Sequence, residues 1–214
     1  MKERSVTPSL AAPPDDASQL AHFPAQTLEP ERSLFRVTRQ GQGPWWFGNS
    51  MAGRFDLREP HGTCYLAADP LAALLEVIGP DRQGGAVLES FLAERRLRRL
   101  HVPHPHRLSD LTSRRGTAFG ITAEISTIVP YTLPQAWAAA LHAAGFEGLV
   151  SWLRHDPSRQ PGYALFGPRG ERQDWKRGRA RRIGPALLKQ LQDECGVEVM
   201  AIPRSDQLRL VRGT

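Results

Sequence analysis

Cysteine and long apolar runs are both scarce in this sequence of 214 residues. Cys64 and Cys195 are its only cysteines, too few for a disulfide framework, so we expect a reducing, cytoplasmic environment. It contains no run of about 18 apolar residues, and no membrane span is therefore expected. The first four residues, MKER, are not followed by an apolar core, so a signal peptide is not expected either.

Positive charge, by contrast, is in excess. The sequence has 28 Lys and Arg against 22 Asp and Glu, a formal net charge of +6. This sign favours a dinucleotide, a nucleic acid or an acidic protein as a partner, although solubility alone explains it equally well. A hydrophobic content of 40%, with five Trp and eight Phe, allows a core, and the length suits one ordinary domain plus a tail.

Residues 1–30 are predicted to be a flexible N-terminal tail, because the segment is rich in Pro, Ala, Ser and Asp and its prolines interrupt regular helix. One short helix is expected near residues 17–22. Residues 31–214 are predicted to form a single domain. It ends in an amphipathic helix over residues 184–195 and a terminal hairpin built from residues 197–202 and 207–212.

The stretch GRFDLREPHGTCYLAADPLAALLEVIG, residues 53–79, carries the clearest local structure. Asp69 followed by Pro70 is a strong helix start, because the Asp carboxylate accepts from free N–H groups of the first turn and Pro fits the first helical position. An apolar stripe at helical spacing follows and predicts the core-facing side of the helix: Leu71, Leu74, Leu75 and Ile78.

Glu76 lies off that apolar stripe. It shares a helix face with Ala72 and Ala73, so its carboxylate is expected to stand over a floor of small side chains. Upstream, Arg54 supplies a guanidinium and Tyr65 a buried-looking phenol. We predict that these two groups meet Glu76 in a polar pocket.

Residues 34–38 alternate in polarity and are predicted to form a strand. Arg36 then points to the side opposite Phe35 and Val37. From the pattern alone, a solvated arginine at the sheet edge is the better interpretation.

The Gly-rich loop over residues 41–53 contains Trp45, Trp46 and Phe47. Three adjacent aromatic residues in such a loop either cover the edge of a core or stack on a flat heterocycle such as adenine or nicotinamide.

The segments GRF, GTCYLA and DPLAALLEV resemble the core of the RES domain family, and the resemblance spans roughly residues 32–170. The family's order and spacing of functional residues are matched by Arg36, Arg54, Tyr65 and Glu76. RES domains are known as toxins of bacterial toxin–antitoxin pairs that degrade NAD. The resemblance implies NAD as the substrate, no separate cofactor, and a pocket role for Arg36.

The resemblance also implies a fold related to ADP-ribosyltransferases. We therefore predict an α+β fold, with an ADP-ribosyltransferase-like split, twisted β core and surrounding helices. About seven strand-like runs alternate irregularly with three or four helices. Regular βαβ spacing is missing, so a doubly wound parallel sheet is disfavoured.

Glu76, Arg54 and Tyr65 are the catalytic candidates. Cleaving the bond between nicotinamide and ribose builds positive charge on the sugar, which a carboxylate such as Glu76 stabilises. Arg36 and Arg54 suit a diphosphate because each guanidinium offers a permanently charged, forked pair of hydrogen-bond donors. Alternatively, one of the two holds an incoming phosphate. Tyr65 is expected to position the ribose or stack on nicotinamide. The predicted NAD-binding set is Arg36, Arg54, Tyr65, Ser151 and Trp46.

Downstream, helix is predicted over residues 134–144 with Gly145 as its cap, and strands over residues 125–129, 148–152 and 163–166. The segment SWLRH, residues 151–155, departs from the family's pattern, since the usual Ser-Arg pair is Leu-Arg here. Ser151 and Ser126 are both candidates for the family's signature serine.

Two further patterns bear on binding. His101, His104 and His106 form H-x-x-H-x-H, yet no carboxylate or cysteine joins them at a metal-ligand spacing, so no metal site is predicted. Residues 169–182 hold seven basic residues and Trp175. No helix-turn-helix, zinc-finger or RNA-binding signature accompanies them, which favours attraction of NAD or an acidic partner over a grip on nucleic acid.

The resemblance thus implies an enzyme that transfers ADP-ribose from NAD to inorganic phosphate or water. It also implies neutralisation by an Xre-type helix-turn-helix antitoxin that blocks the pocket entrance, so that nucleic acid is reached only through that partner. Two alternatives are a protein ADP-ribosyltransferase of the same fold and a basic nucleic-acid-binding or interaction protein without catalysis.

Overall fold

The computed structural model describes residues 9–79 and 85–201. The strands within these ranges are β1 (Ala25–Leu28), β2 (Leu34–Arg39), β3 (Trp46–Phe47), β4 (His61–Ala67), β5 (Ala86–Leu88), β6 (Arg95–Leu100), β7 (His106–Asp110), β8 (Gly148–Trp152), β9 (Pro161–Pro168), β10 (Gly170–Glu171), β11 (Arg181–Arg182) and β12 (Glu198–Met200). The α-helices are α1 (Pro70–Ile78), α2 (Glu89–Ala93), α3 (Thr132–Ala143) and α4 (Pro185–Cys195). Short 3-10 helices cover Ala17–Leu20, Arg114–Phe119 and Ala123–Ser126.

Eight strands form one mixed sheet in the order β1-β7-β8-β9-β4-β2-β6-β11. Its neighbours are antiparallel except for β7 and β8, whose long connection holds α3 and returns the chain in the same direction. The prediction of a mixed α+β fold without a doubly wound parallel sheet is confirmed. The finer ADP-ribosyltransferase-like arrangement stays a prediction.

Helix α1 begins where its sequence signals place it. The Asp69 side chain accepts a hydrogen bond from the Ala72 backbone N–H at 2.9 Å, and Pro70 takes the first helical position. The predicted apolar stripe packs in one cluster with β2 and α4, through residues such as Val37 and Leu191. No helix among the described residues is long and apolar enough to cross a membrane.

The two faces of the sheet are covered by different parts of the chain, because successive side chains of a strand point to opposite faces. Tyr65 packs with the cluster that includes α3, and Ala67 packs with α1; we call this side the helix face. Cys64 and Leu66 pack under Trp45, which lies in an irregular segment; we call this side the loop face.

The N-terminal segment after residue 8 is packed, which corrects the prediction of a flexible tail. Leu20 and Phe23 are 0% and 3% exposed, and residues 25–28 pair with β7 as an edge strand. The Trp137 indole N–H also donates to the Ala11 carbonyl at 2.8 Å. Prolines do prevent a long helix here, but they permit extended and 3-10 backbone that buries the few apolar side chains.

Two other predicted strands are wrong or incomplete. Residues 125–129 form no strand, since Ala123–Ser126 is a 3-10 helix whose Ile125 and Ser126 are buried. Of the terminal hairpin, the first run becomes β12, which pairs in parallel with β5, and its second run lies outside the described residues. The partner of β12 is distant in sequence, so local pattern does not specify that pairing.

We predict that Phe23→Ala lowers the free energy of unfolding by about 3–5 kcal/mol. The Phe23 ring centroid lies 5.0 Å from that of Phe119 and 6.1 Å from that of Trp137, so truncation leaves a cavity in the core. Urea unfolding followed by circular dichroism measures the change. The exposed neighbour provides the control, since His22→Ala should change stability by no more than about 0.5 kcal/mol. If both changes had equally small effects on the free energy of unfolding, the conclusion that this segment is packed would be contradicted.

Candidate active site

A cavity of about 380 Å³ lies on the helix face of the sheet. Its wall is assembled from parts of the chain that are far apart in sequence: β2, the loop between β3 and β4, β4 itself, α1, and the turn that joins β8 to β9. A volume of this size is typical of small-molecule sites. Five of the six residues predicted for the NAD site border it: Arg36, Arg54, Tyr65, Glu76 and Ser151.

Glu76 projects from α1 into this wall, as the sequence predicts. Its carboxylate accepts a hydrogen bond from the backbone N–H of His155 at 2.6 Å. Burial raises the pKa of Glu76 above its usual 4.5, while the His155 N–H and the charge of Arg54 oppose that shift. The carboxylate is therefore fixed in position but poorly solvated, and a positive charge in the cavity would stabilise its ionised form.

Gly79 allows this arrangement at the end of α1. A Cβ at this position would lie 2.3 Å from the His155 ring, so any larger residue would push that ring away. The turn that donates to Glu76 thus packs directly on the end of the helix that carries Glu76.

Arg54 lies at the cavity edge with part of its hydrogen-bonding capacity unused. Its Nη1 donates to the Ile128 carbonyl at 2.8 Å, and its guanidinium carbon sits 4.5 Å from the centre of the Tyr131 ring. Its Nη2 is buried and finds no hydrogen-bond partner among the described residues. Burial lowers the pKa of Arg54, so a bound anion would offset a real desolvation cost.

Tyr65 positions the loop that carries Arg54. Its hydroxyl donates to Asp56 Oδ1 at 2.8 Å and accepts from the Phe55 backbone N–H at 2.8 Å. Burial, followed by the nearby Asp56, raises the pKa of Tyr65 well above 10.0. A Cβ on Gly53 would lie 2.6 Å from the Tyr65 hydroxyl oxygen, so the loop needs glycine there. The predicted contact of Tyr65 with ribose or nicotinamide stays a prediction.

Two residues that line the cavity, Tyr131 and Arg154, are not among the predicted site residues. Arg154 Nη1 donates to the Tyr131 hydroxyl at 2.9 Å, so Tyr131 lies between the guanidinium groups of Arg54 and Arg154. Tyr131 precedes α3 and has no local pattern that marks it as functional. Arg154 lies in the segment SWLRH, which departs from the family pattern. That departure was the one sequence signal that could have drawn attention to Arg154 as a site residue.

Ser151 is the serine that reaches the cavity. It lies on β8 and is 7% exposed, and it contributes to the lining. Ser126 is also buried, in the 3-10 helix before α3, but it is not among the lining residues. Of the two candidates for the signature serine, the geometry favours Ser151.

Arg36 borders the cavity as part of β2, but its guanidinium lies on the loop face. Its Nη1 donates to the Pro44 carbonyl at 2.6 Å and approaches the Cys64 sulfur at 3.0 Å, and Cys64 belongs to the core of the loop face. Phe35 packs with α1 on the helix face, so the neighbouring Arg36 must point away from the cavity. In this structure Arg36 anchors the loop at residues 44–46, and its predicted diphosphate contact stays a prediction.

Trp46 also lies outside the cavity. Its side chain is 40% exposed and it is not among the lining residues, so its predicted stacking on NAD does not fit its position. Trp45 and Phe47, at 0% and 1% exposure, fill the core of the loop face. For these two residues the alternative of covering a core edge is the correct one.

Comparisons with known proteins agree with the resemblance seen in the sequence. The model of the RES domain family matches residues 33–182. Among solved structures, a chain of the M. tuberculosis MbcT–MbcA toxin–antitoxin complex has the same fold, with a TM-score of 0.60 and 18% identity, covering 78% of this chain and 91% of that chain. A search of curated proteins finds no match.

The raised pKa of Glu76 predicts an unusual stability profile for Glu76→Gln. The folded state binds the Glu76 proton more tightly than the unfolded state does. The contribution of Glu76 to the free energy of unfolding is therefore fully present below pH 4.5 and is lost as the pH rises through the pKa of Glu76 in the folded state. Gln stays neutral throughout, so the variant should melt at a higher temperature than wild type at pH 7.5. The gap should close toward pH 4.5. Thermal melts across this range test it, and a lower melting temperature for the variant at pH 7.5 would contradict the desolvation argument.

Proposed function

Because this chain belongs to the RES domain family, we propose that it is a toxin that degrades NAD by cleaving the bond between nicotinamide and ribose. The observation that carries the proposal is the Glu76 carboxylate, held by the His155 backbone in a cavity that also contains Arg54. A fixed, partly desolvated carboxylate beside guanidinium groups suits a substrate with a cationic leaving group and a diphosphate.

The charge balance of the cavity supports an anionic ligand. Arg54 and Arg154 bring two positive charges, and Glu76 is the one carboxylate among the described lining residues. Neither arginine takes part in the ion pairs found in the described part of the chain, and the charge of Arg154 lowers the pKa of Arg54. A diphosphate or phosphate between the two guanidinium groups would relieve their repulsion and engage the unused Arg54 Nη2.

The chemistry follows from that arrangement. When the glycosidic bond breaks, nicotinamide takes both bonding electrons and leaves as a neutral molecule, so the positive charge passes to the ribose. Glu76 stabilises this charge more strongly than a hydrated carboxylate would, because the cavity excludes much of the solvent. An oxygen of hydrogen phosphate or of water then forms the new bond to the ribose carbon; in the case of water, a proton is released to the solvent. No covalent bond to the protein is required.

The basic segment 169–182 is partly built into the fold. Arg169 pairs with Glu59 at 3.0 Å, and the Trp175 ring packs edge-on against Trp45, with centroids 4.8 Å apart. Trp175 thus belongs to the core of the loop face rather than to an exposed stacking platform. This placement supports the enzyme over the alternative of a nucleic-acid-binding protein.

We predict that Glu76→Gln lowers NAD turnover by about 100- to 1,000-fold while the protein stays folded, because it removes the charge that stabilises the transition state. Arg54→Ala should mainly raise KM, by about 10- to 100-fold, because it removes a charged hydrogen-bond donor. Nicotinamide release is followed with and without phosphate, and the products are analysed for ADP-ribose, its phosphorylated form and modified protein.

Matched controls are available for both changes. Glu94 and Arg58 are exposed, and Glu94→Gln and Arg58→Ala should leave kcat and KM unchanged. A folded Glu76→Gln protein with near-normal turnover would remove Glu76 from the mechanism. Product analysis decides among phosphate, water and protein as the acceptor of ADP-ribose.

An antitoxin partner forms the second part of the proposal. It rests on the family and on the similar solved structure, which is that of a toxin–antitoxin complex. We propose an Xre-type helix-turn-helix protein that covers the cavity entrance and keeps NAD out. Contact with nucleic acid would then come through that partner.

Expression of the wild-type chain alone is expected to lower cellular NAD and stop growth, while Glu76→Gln should do neither at the same protein level. The reason is that toxicity, under this proposal, depends on turnover rather than on binding. Cellular NAD is measured by an enzymatic cycling assay alongside growth curves. Equal toxicity of the two chains would show that harm arises without NAD cleavage.

A further inference from the structure

Three side chains suited to metal binding meet at the edge of the sheet where β7 and β8 begin: His104, His106 and Glu147. One ligand atom from each lies within 4.8 Å of the others. The two histidines precede and begin β7, and Glu147 immediately precedes β8; the parallel register of these strands, Ser109 beside Leu149, brings the two segments together. We propose that these three side chains bind a divalent transition-metal ion, with Zn²⁺ as the appropriate probe.

Backbone carbonyls hold both histidines in the tautomer that leaves Nε2 available. His106 Nδ1 lies 2.7 Å from the His104 carbonyl, and His104 Nδ1 lies 3.2 Å from the Pro105 carbonyl. A carbonyl only accepts hydrogen bonds, so in each neutral ring the proton sits on Nδ1 and the lone pair on Nε2. Metal-binding histidines are oriented in this way by their outer hydrogen bonds.

Glu147 supplies the anionic ligand. One carboxylate oxygen, Oε2, accepts from the Arg107 backbone N–H at 2.8 Å, which orients the group. The Arg107 guanidinium is occupied elsewhere, 4.0 Å from the centre of the Phe146 ring. Glu147 belongs to neither ion pair found in the described part of the chain, so its charge is available to a cation.

The surroundings also suit a metal ion. His106 is 4% exposed, so the surrounding core restricts the position of its ring. The Trp175 ring lies nearly perpendicular to both histidine rings, with its centroid 5.5 Å from that of His106 and 6.3 Å from that of His104.

A modest movement completes the coordination. The rings of His104 and His106 are stacked 4.4 Å apart and nearly parallel, whereas two nitrogens on a tetrahedral Zn²⁺ lie about 3.4 Å apart. Binding requires the exposed His104 side chain to rotate and give up the 3.2 Å contact of its Nδ1 with the Pro105 carbonyl. Two histidines and one carboxylate leave a fourth position for water, and the bound ion would fasten the segment before β7 to the start of β8.

This site is separate from the NAD cavity. Leu108, two residues after His106, packs in the core of the loop face, whereas the cavity lies on the helix face. Glu147 precedes β8, and the cavity residue Ser151 stands toward its other end. The inference therefore does not depend on the proposed enzymatic activity.

The test is calorimetric titration of Zn²⁺ into the untagged, full-length chain after treatment with a chelator. One ion per chain should bind, and His104→Ala and Glu147→Gln should each weaken binding by at least about tenfold. Because both residues are exposed, neither change disturbs the core. Co²⁺ in place of Zn²⁺ should give the visible absorption of an ion with about four ligands, which the double variant H104A/H106A should lose.

His101→Ala provides the matched control. His101 lies in the same segment and is exposed, but its Nδ1 lies 3.0 Å from the Pro30 carbonyl and it is outside the group of three. This variant should bind Zn²⁺ as tightly as wild type. Absence of saturable binding by the wild-type chain, or undiminished binding by a folded H104A/H106A variant, would overturn the proposal.

Discussion

The hydrogen bond from the His155 backbone to the Glu76 carboxylate is the contact on which the cavity depends. It joins the end of α1 to the turn between β8 and β9. From this turn, Arg154 reaches the hydroxyl of Tyr131, and the Tyr131 ring lies under the guanidinium of Arg54. A displacement of α1 would therefore alter the carboxylate and both guanidinium groups together.

The cost of the site in stability comes from burial of its charged groups, which the His155 hydrogen bond offsets only in part. Burial disfavours the ionised forms of both Glu76 and Arg54, and the buried Arg54 Nη2 has no hydrogen-bond partner among the described residues. Groups held in this way are common at functional sites, since their stabilisation is completed by a ligand and not by the fold. An anion beside Arg54 and a developing cation beside Glu76 would each remove part of that cost.

The alternation of side chains along the strands divides the chemistry between two faces. On β4, Tyr65 faces the cavity while the adjacent Cys64 faces Trp45 and the loop core. Along β2, the same alternation turns the Arg36 guanidinium away from the cavity that its strand borders. On β7, it places His106 beside Trp175 on the loop face, away from the cavity and within reach of Glu147.

Local sequence signals alone determined α1, its Asp69–Pro70 start and the exposure of Glu76 to a polar pocket, because capping and helical periodicity act within a few residues. The motifs around residues 53–79 likewise identified the family. Only the tertiary structure decided which sheet face holds the cavity, and hence that Arg36 points away from it and Arg154 toward it.

Tertiary contacts also decided that the Pro-rich segment after residue 8 is packed, through burial of side chains such as Phe23. They brought Glu147 to a pair of histidines that lacked a carboxylate at any local spacing. Strand pairing and burial bring together residues that are far apart along the chain. Local periodicity does not specify which distant segment becomes the neighbour.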